Sequence, residues 1–216
     1  SKKVPTPLHL QPASSYIHYE PLGVALIVSP WNYPFQLLMN PLVGAISAGC
    51  CALLKPSPDA PNIAKVMEKM LAECFIPSYI TMAQGGKETN TILFRKKFDF
   101  IFFTGSPKLG SIVMKAAAAH LTPIILELGG KSPCIVDENS QIELAAKRIV
   151  WGKFLNAGQT CLAPDYLMVH ESVKSKLYEQ MIKYIKEFYG THPENNKHYG
   201  RIVHDEAMQR LLGLLE

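Results

Sequence analysis

Five apolar segments separated by helix-patterned stretches constrain this chain more than any other feature. Val24-Ala25-Leu26-Ile27-Val28 is an uninterrupted apolar run between Gly23 and Pro30, as a strand covered on both faces requires. A helix is expected over about 35–48, a second strand at 52–54, a helix over 61–73 and a strand over 79–83. A short helix at 88–94, a strand at 100–103, a helix at 106–119 and a strand at 124–126 continue the alternation. Such an order with short connections predicts an α/β fold built on a doubly wound parallel sheet, with its ligand crevice at the carboxyl ends of the strands.

After Glu127 the pattern loosens. Strands are expected at 133–136 and 166–169, and helices at 142–154, 172–189 and 205–216. These strands have no partners to complete a sheet, so residues 129–216 read as the opening of a second α/β domain that the sequence does not finish. Residues 1–21 are rich in Pro, Ser and Tyr and alternate weakly at 15–19, which reads as an extended arm or hairpin. That leaves 22–128 as the first complete domain.

Composition excludes several classes of function. The chain has 216 residues, 48% hydrophobic and 19% charged, enough for one large domain or for one domain and part of another. The net charge of +4 comes from scattered lysines, so neither nucleic acid nor a membrane surface is the expected partner. Its apolar runs are far shorter than the ~18–20 residues that a membrane span needs. Ser1-Lys2-Lys3-Val4-Pro5 does not read as a signal peptide, and without an initiator Met Ser1 reads as a processing end. Five cysteines without a CxxC spacing fit neither a disulfide framework nor a zinc site. Their odd number points to a reducing compartment, by default the cytoplasm. Cys50, Cys51, Cys74 and Cys134 are assigned to packing, as are Met67 and Met70. The histidines lack metal-ligand spacing, so no metal is expected.

Four segments at strand ends can carry chemistry. Pro30-Trp31-Asn32-Tyr33-Pro34-Phe35 follows the first strand. An amide such as that of Asn32 can donate to an oxyanion, a contribution of about 3–4 kcal/mol in other enzymes, yet Asn and Pro also simply form turns. Lys55-Pro56-Ser57-Pro58 follows the second strand, where Lys55 either reaches ribose or phosphate oxygens or is merely solvated. In Phe103-Thr104-Gly105-Ser106-Pro107-Lys108-Leu109-Gly110, Ser106 suits an N-cap and Pro107 the first helical position. The resulting helix start suits a pyrophosphate, or is only a tight turn. The last segment is split between Glu127-Leu128-Gly129-Gly130-Lys131 and Gly158-Gln159-Thr160-Cys161. Cys161 is either an exposed reactive thiol or a small packed residue. Glu127, a carboxylate ending a buried strand, is either functional or an ion-pair partner.

Taken together, PWNYPF, KPS, FTGS, ELGGKSP and GQTC, in this order, resemble the aldehyde dehydrogenase superfamily. EPLGVALIVSPWNYPF, HLTPIILELGGKSP and NAGQTCLAPDY are similar to its class 3, or fatty-aldehyde, branch. The resemblance covers nearly the whole chain. It implies a Rossmann-like domain for NAD or NADP, followed by a catalytic domain. By the same resemblance Cys161 attacks the aldehyde carbon to give a thiohemiacetal, and Asn32 with the Cys161 backbone N–H holds the oxyanion. Hydride passes to the nicotinamide, leaving a thioester, and Glu127 is general base for the water that hydrolyses it. Lys55 is implied at the adenosine ribose, Gly105, Ser106 and Gly110 at the pyrophosphate turn and its helix, Trp31 along the cofactor groove, and Leu128 and Gly129 near the nicotinamide. The arm is implied to pair with a neighbouring subunit of a homodimer.

Three departures matter. Much of the family has a ribose-binding Glu where Pro58 stands, which makes NADP⁺ use plausible. The family's N-terminal helical region is missing before Ser1, as is most of the catalytic domain after Glu216. The sequence therefore reads as a fragment that is inactive alone. Two other readings stand beside a hydrolytic aldehyde dehydrogenase: a CoA-acylating or acyl-phosphate-reducing relative, disfavoured by Glu127, and a non-catalytic cofactor-binding or interaction fragment.

Overall fold

The computed structural model describes residues 1–215, which form two compact units, one over Ser1–Glu127 and one from Leu128 onward. The first unit opens with a small antiparallel ribbon in which β1 (Lys2–Val4) pairs with β2 (Ser15–Ile17). The elements that follow are β3 (Val24–Val28), α1 (Gln36–Ser47), β4 (Cys51–Lys55), α2 (Pro61–Cys74), β5 (Ile80–Met82), α3 (Lys87–Phe94), β6 (Phe100–Thr104), α4 (Pro107–Ala118) and β7 (Ile124–Glu127).

β3 to β7 form one parallel sheet in the order β5-β4-β3-β6-β7. The chain works outward from β3 through β4 to β5, then returns to β6 on the other side of β3. This reversal is the topological switch of a doubly wound fold. β3 lies at the centre and is apolar along its length because helices cover both faces: Leu26 and Ile27 are almost fully buried. Ile27 joins Leu38 and Leu42 of α1 and Met67 and Leu71 of α2 in one core cluster. Leu26 and Val28, which alternate with it, point to the opposite face. There α4 packs on β6 and β7, burying Val113 and Ala117.

The second unit contains β8 (Ser132–Val136), α5 (Ile142–Phe154), β9 (Pro164–Val169), α6 (Glu171–Tyr189) and α7 (Asp205–Leu212). β8 and β9 pair in parallel. The strands expected to lack partners thus pair with each other, because α5 supplies the crossover that a parallel pair requires. Val136, Ile149, Val150, Leu177 and Tyr184 form the core of this unit. The last helix ends at Leu212, short of the expected 216, and Glu216 lies outside the described residues.

Some side chains sit elsewhere than expected. Cys74, assigned to packing, is exposed at the end of α2. Met67 is buried but Met70 is 37% exposed, since α2 turns only one stripe toward the sheet. β7 is an edge strand with alternating burial, so Glu127 is exposed and bears no burial penalty.

Candidate active site

At the switch point a cleft of about 780 Å³ opens at the carboxyl ends of β3, β4 and β6 within the first unit. Its lining includes Trp31, Lys55, Gly105 and Ser106, four residues expected at a cofactor site from three separate segments of sequence. The cleft lies where open α/β sheets bind ligands, since helices leave the strand ends in opposite directions there.

Lys55 ends β4 and is 1% exposed, not solvated. Its Nζ donates to the Pro56 carbonyl oxygen at 2.7 Å. An ammonium has three donors, so others remain for a ligand. Burial lowers its pKa, and the nearby Asp59 carboxylate partly opposes that shift. Asp59 is held by Ser57, whose hydroxyl donates to Oδ2 at 3.0 Å.

Ser106 caps α4: its Oγ accepts the Leu109 N–H at 3.3 Å, with Pro107 opening the helix. Both residues were legible as cap chemistry. Gly105 is confined because a Cβ there would come within 2.6 Å of the Phe103 ring. Gly110 is buried one turn further along, where its N–H donates to the Ser106 carbonyl oxygen at 2.9 Å. It supports the helix and does not line the cleft.

Residues not anticipated from sequence complete the cleft. Lys87, Asn90, Thr91 and Phe94 line it from a single face of α3, at the i, i+3, i+4, i+7 spacing that could have revealed them. Asp59 and Arg95 also line it. Ser29 Oγ, Asn90 Oδ1 and Thr104 Oγ1 are buried without a hydrogen-bond partner, and all three residues belong to the lining. Buried polar atoms of this kind are uncommon unless something polar satisfies them. With the Lys55 ammonium and the helix start of α4, this donor and acceptor set fits a hydroxyl-rich, anionic nucleotide.

Asn32 lies half-buried in the turn after β3, next to Trp31, and Glu127 ends β7. Leu128, Gly129 and Cys161 belong to the second unit. There α5 runs into a 3₁₀ segment, Leu155–Gly158, in which Asn156 (φ 52°, ψ 35°) and Ala157 (φ 54°, ψ 30°) are left-handed. Gly158 follows at φ 76°. Left-handed backbone costs about 1–2 kcal/mol for an L-residue, and the Ala157 methyl cannot make the local hydrogen bond by which Asn or Asp offsets it. Strain of this kind persists where the surroundings impose it, often at functional sites. Cys161 follows this turn, half-buried. Against its carbonyl oxygen lies Gly130, where a Cβ would approach to 2.5 Å, so the GGK and GQTC segments are in close contact.

Among the described residues no cluster of three or more His, Cys, Asp or Glu could hold a metal ion. No described helix is long and apolar enough to cross a membrane.

Comparison with known proteins agrees with this geometry. Residues 2–216 match the Aldehyde dehydrogenase family. A structure of the substrate-bound state of Staphylococcus aureus AldH superimposes with a TM-score of 0.92 at 50% identity, over 99% of this chain and 47% of that one. The aldehyde dehydrogenase family 3 comG protein of Dictyostelium discoideum is 50% identical over 212 residues, 98% of this chain and 45% of its own length. The dimeric NADP-preferring aldehyde dehydrogenase of Rattus norvegicus is 45% identical over 201 residues, 93% of this chain and 44% of its own. The chain thus spans about half the length of the curated relatives it matches. With a family match along essentially its whole length, a shared fold and half its residues in common with such relatives, the chain belongs to the aldehyde dehydrogenase family.

Proposed function

We propose that the protein oxidises an aldehyde to a carboxylic acid with NAD⁺ or NADP⁺. The observation that carries this reading is the switch-point cleft, whose buried ammonium, capped helix start and unsatisfied buried oxygens suit a dinucleotide. Lys55 binds the adenosine ribose, while Gly105 and Ser106 present the start of α4 to the pyrophosphate. Trp31 forms a wall of the groove, Gly110 holds the α4 turn behind it, and Leu128 and Gly129 approach the nicotinamide. When bound, the cofactor supplies the acceptor for the two electrons and hydrogen lost by the substrate.

Cys161 is the nucleophile. Its Sγ adds to the aldehyde carbon, and the resulting oxyanion is held by the Asn32 amide and the Cys161 backbone N–H. After oxidation the acyl group is a thioester on Cys161. Glu127 takes a proton from the water that displaces the thiol, releasing the acid. Its exposed position at the end of an edge strand leaves it open to water. A carboxylate there favours hydrolysis over transfer to coenzyme A or phosphate. The name of the rat relative supports use of NADP⁺, as does Pro58, which removes a carboxylate that would repel a 2′-phosphate.

Residues 1–21 serve as an arm that pairs with a second subunit in a homodimer, 22–128 as the dinucleotide-binding domain and 129–216 as part of the catalytic domain. Five free thiols suit the cytoplasm. Because these residues match under half of each relative, they carry little or no turnover by themselves and act within a longer protein. A non-catalytic binding role is the second reading for the isolated residues, favoured by the self-contained cleft of the first unit.

The test uses the full-length protein with a series of aldehydes and either cofactor, without coenzyme A, following absorbance of the reduced cofactor. Absence of signal across the series refutes the reading. Cys161→Ser should abolish turnover and preserve cofactor binding; an active variant refutes the nucleophile.

A further inference from the structure

The turn that carries Cys161 is tied to a distant part of the second unit by one side chain. Gln159 Nε2 donates to the Asn156 carbonyl oxygen at 3.0 Å and to the Arg201 carbonyl oxygen at 3.0 Å. Its Oε1 accepts the Val203 N–H at 3.0 Å. Both ends of the amide are therefore engaged, and they bridge the left-handed turn to a segment more than forty residues further along the chain.

That segment is itself held. The Arg201 guanidinium donates to the carbonyl oxygens of Tyr199 at 2.6 Å, Glu194 at 2.8 Å and Asn196 at 3.2 Å. The Tyr199 ring packs on Tyr189 of α6 with centroids 4.8 Å apart. Gly200 lies against the turn, where a Cβ would meet the Asn156 carbonyl carbon at 3.3 Å and the Ala157 nitrogen at 3.4 Å. The 199–203 segment is thus a braced wall, and Gln159 joins the thiol's turn to it.

We propose that Gln159 is a positioning residue for the Cys161 thiol: its amide locks the left-handed 156–158 turn onto residues 201–203 and so sets the backbone from which Sγ projects. This rests on the reading of Cys161 as nucleophile. Only Thr160 separates Gln159 from Cys161, so rotation of the turn carries directly to the thiol. The clasp explains how Ala157 is retained in a conformation it disfavours. It also gives the Gln of GQTC a task distinct from chemistry.

The test compares Gln159→Ala and Gln159→Glu with the unaltered full-length protein. Gln159→Glu keeps the volume and the acceptor for Val203 N–H, but sets a carboxylate against two carbonyl oxygens, so it covers the case in which the alanine variant fails to fold. Both should bind cofactor normally and show amide exchange about tenfold faster in 156–163 and 200–205 only, as expected of a local opening. In both kcat should fall about a hundredfold with the KM for aldehyde little changed, the size of effect that an ångström of misplacement produces. A kcat within twofold of the unaltered protein, or unchanged exchange in those segments, overturns the proposal. If the unaltered protein oxidises no aldehyde, the functional reading fails separately. The alkylation rate of Cys161, followed by mass spectrometry of its peptide, then decides the clasp: a change above about tenfold sustains it, and an unchanged rate overturns it.

Discussion

Gly130 and the Cys161 carbonyl oxygen are so close that a methyl group on Gly130 would come within 2.5 Å of that oxygen. Gly130 does not have a positive φ, so its requirement is steric. Gly130→Ala should displace the Cys161 backbone and cost about 1–3 kcal/mol, as overpacking does. Denaturant unfolding measures the loss, and turnover of the full-length protein should drop while cofactor affinity holds. An unchanged unfolding midpoint would contradict the contact.

Ala157→Gly tests the left-handed turn. Glycine removes an αL cost of about 1–2 kcal/mol but adds about 0.4–1 kcal/mol of unfolded-state entropy. The net should be a small gain in stability, read as a higher denaturant midpoint. A clear loss would mean that Ala157 is not left-handed.

Lys55→Met keeps the length of a buried side chain and removes its charge. Burial holds the Lys55 pKa below its usual value, so the charged form is disfavoured in the folded state. The unfolded chain binds the proton more readily, and stability rises with pH as the lysine window up to about 10.5 is approached. The variant should lack that rise and be more stable without cofactor, by a few degrees in Tm if about 1 kcal/mol is recovered. Its affinity for NAD⁺ or NADP⁺ should fall at least tenfold. Thermal scans across pH together with a cofactor titration measure both effects.

Tyr184→Phe probes the second unit. The Tyr184 hydroxyl donates to Glu143 Oε1 at 2.9 Å, and Lys183 Nζ reaches the same oxygen at 3.1 Å. These bonds, Tyr184's first, hold the Glu143 pKa below its usual value, so their stabilisation is present above about 4.5 and fades as the pH falls through the depressed value. Desolvation, then the bond to Glu143, raises the Tyr184 pKa, so its stabilisation is complete below about 10 and fades as the pH rises through the raised value. Tyr184→Phe should weaken both edges of the stability plateau. Thermal unfolding at pH 4, 7 and 10 shows whether it does.

Much of the fold was legible because local chemistry and burial agreed. The apolar run 24–28 reads as a strand covered on both faces and forms β3, and Ser106-Pro107 opens α4 as cap chemistry requires. Helix α5 covers 142–154, as its periodicity predicts. The edge position of β7 was not legible, because Ile124-Ile125-Leu126 is as apolar as a central strand and only pairing decides which strands have two neighbours. That is why Glu127 was expected at the end of a buried strand and is instead exposed.

The family motifs and the order of strands and helices along the chain were determined by the sequence itself, because each depends on residues adjacent in the chain. Tertiary structure alone decided that Trp31, Lys55, Gly105 and Ser106 share one cleft with a face of α3. It also decided that Lys55 is buried, and that Gln159 reaches Arg201 and Val203. Contacts between residues far apart in the chain are set by which surfaces pack together, and no local pattern records that choice.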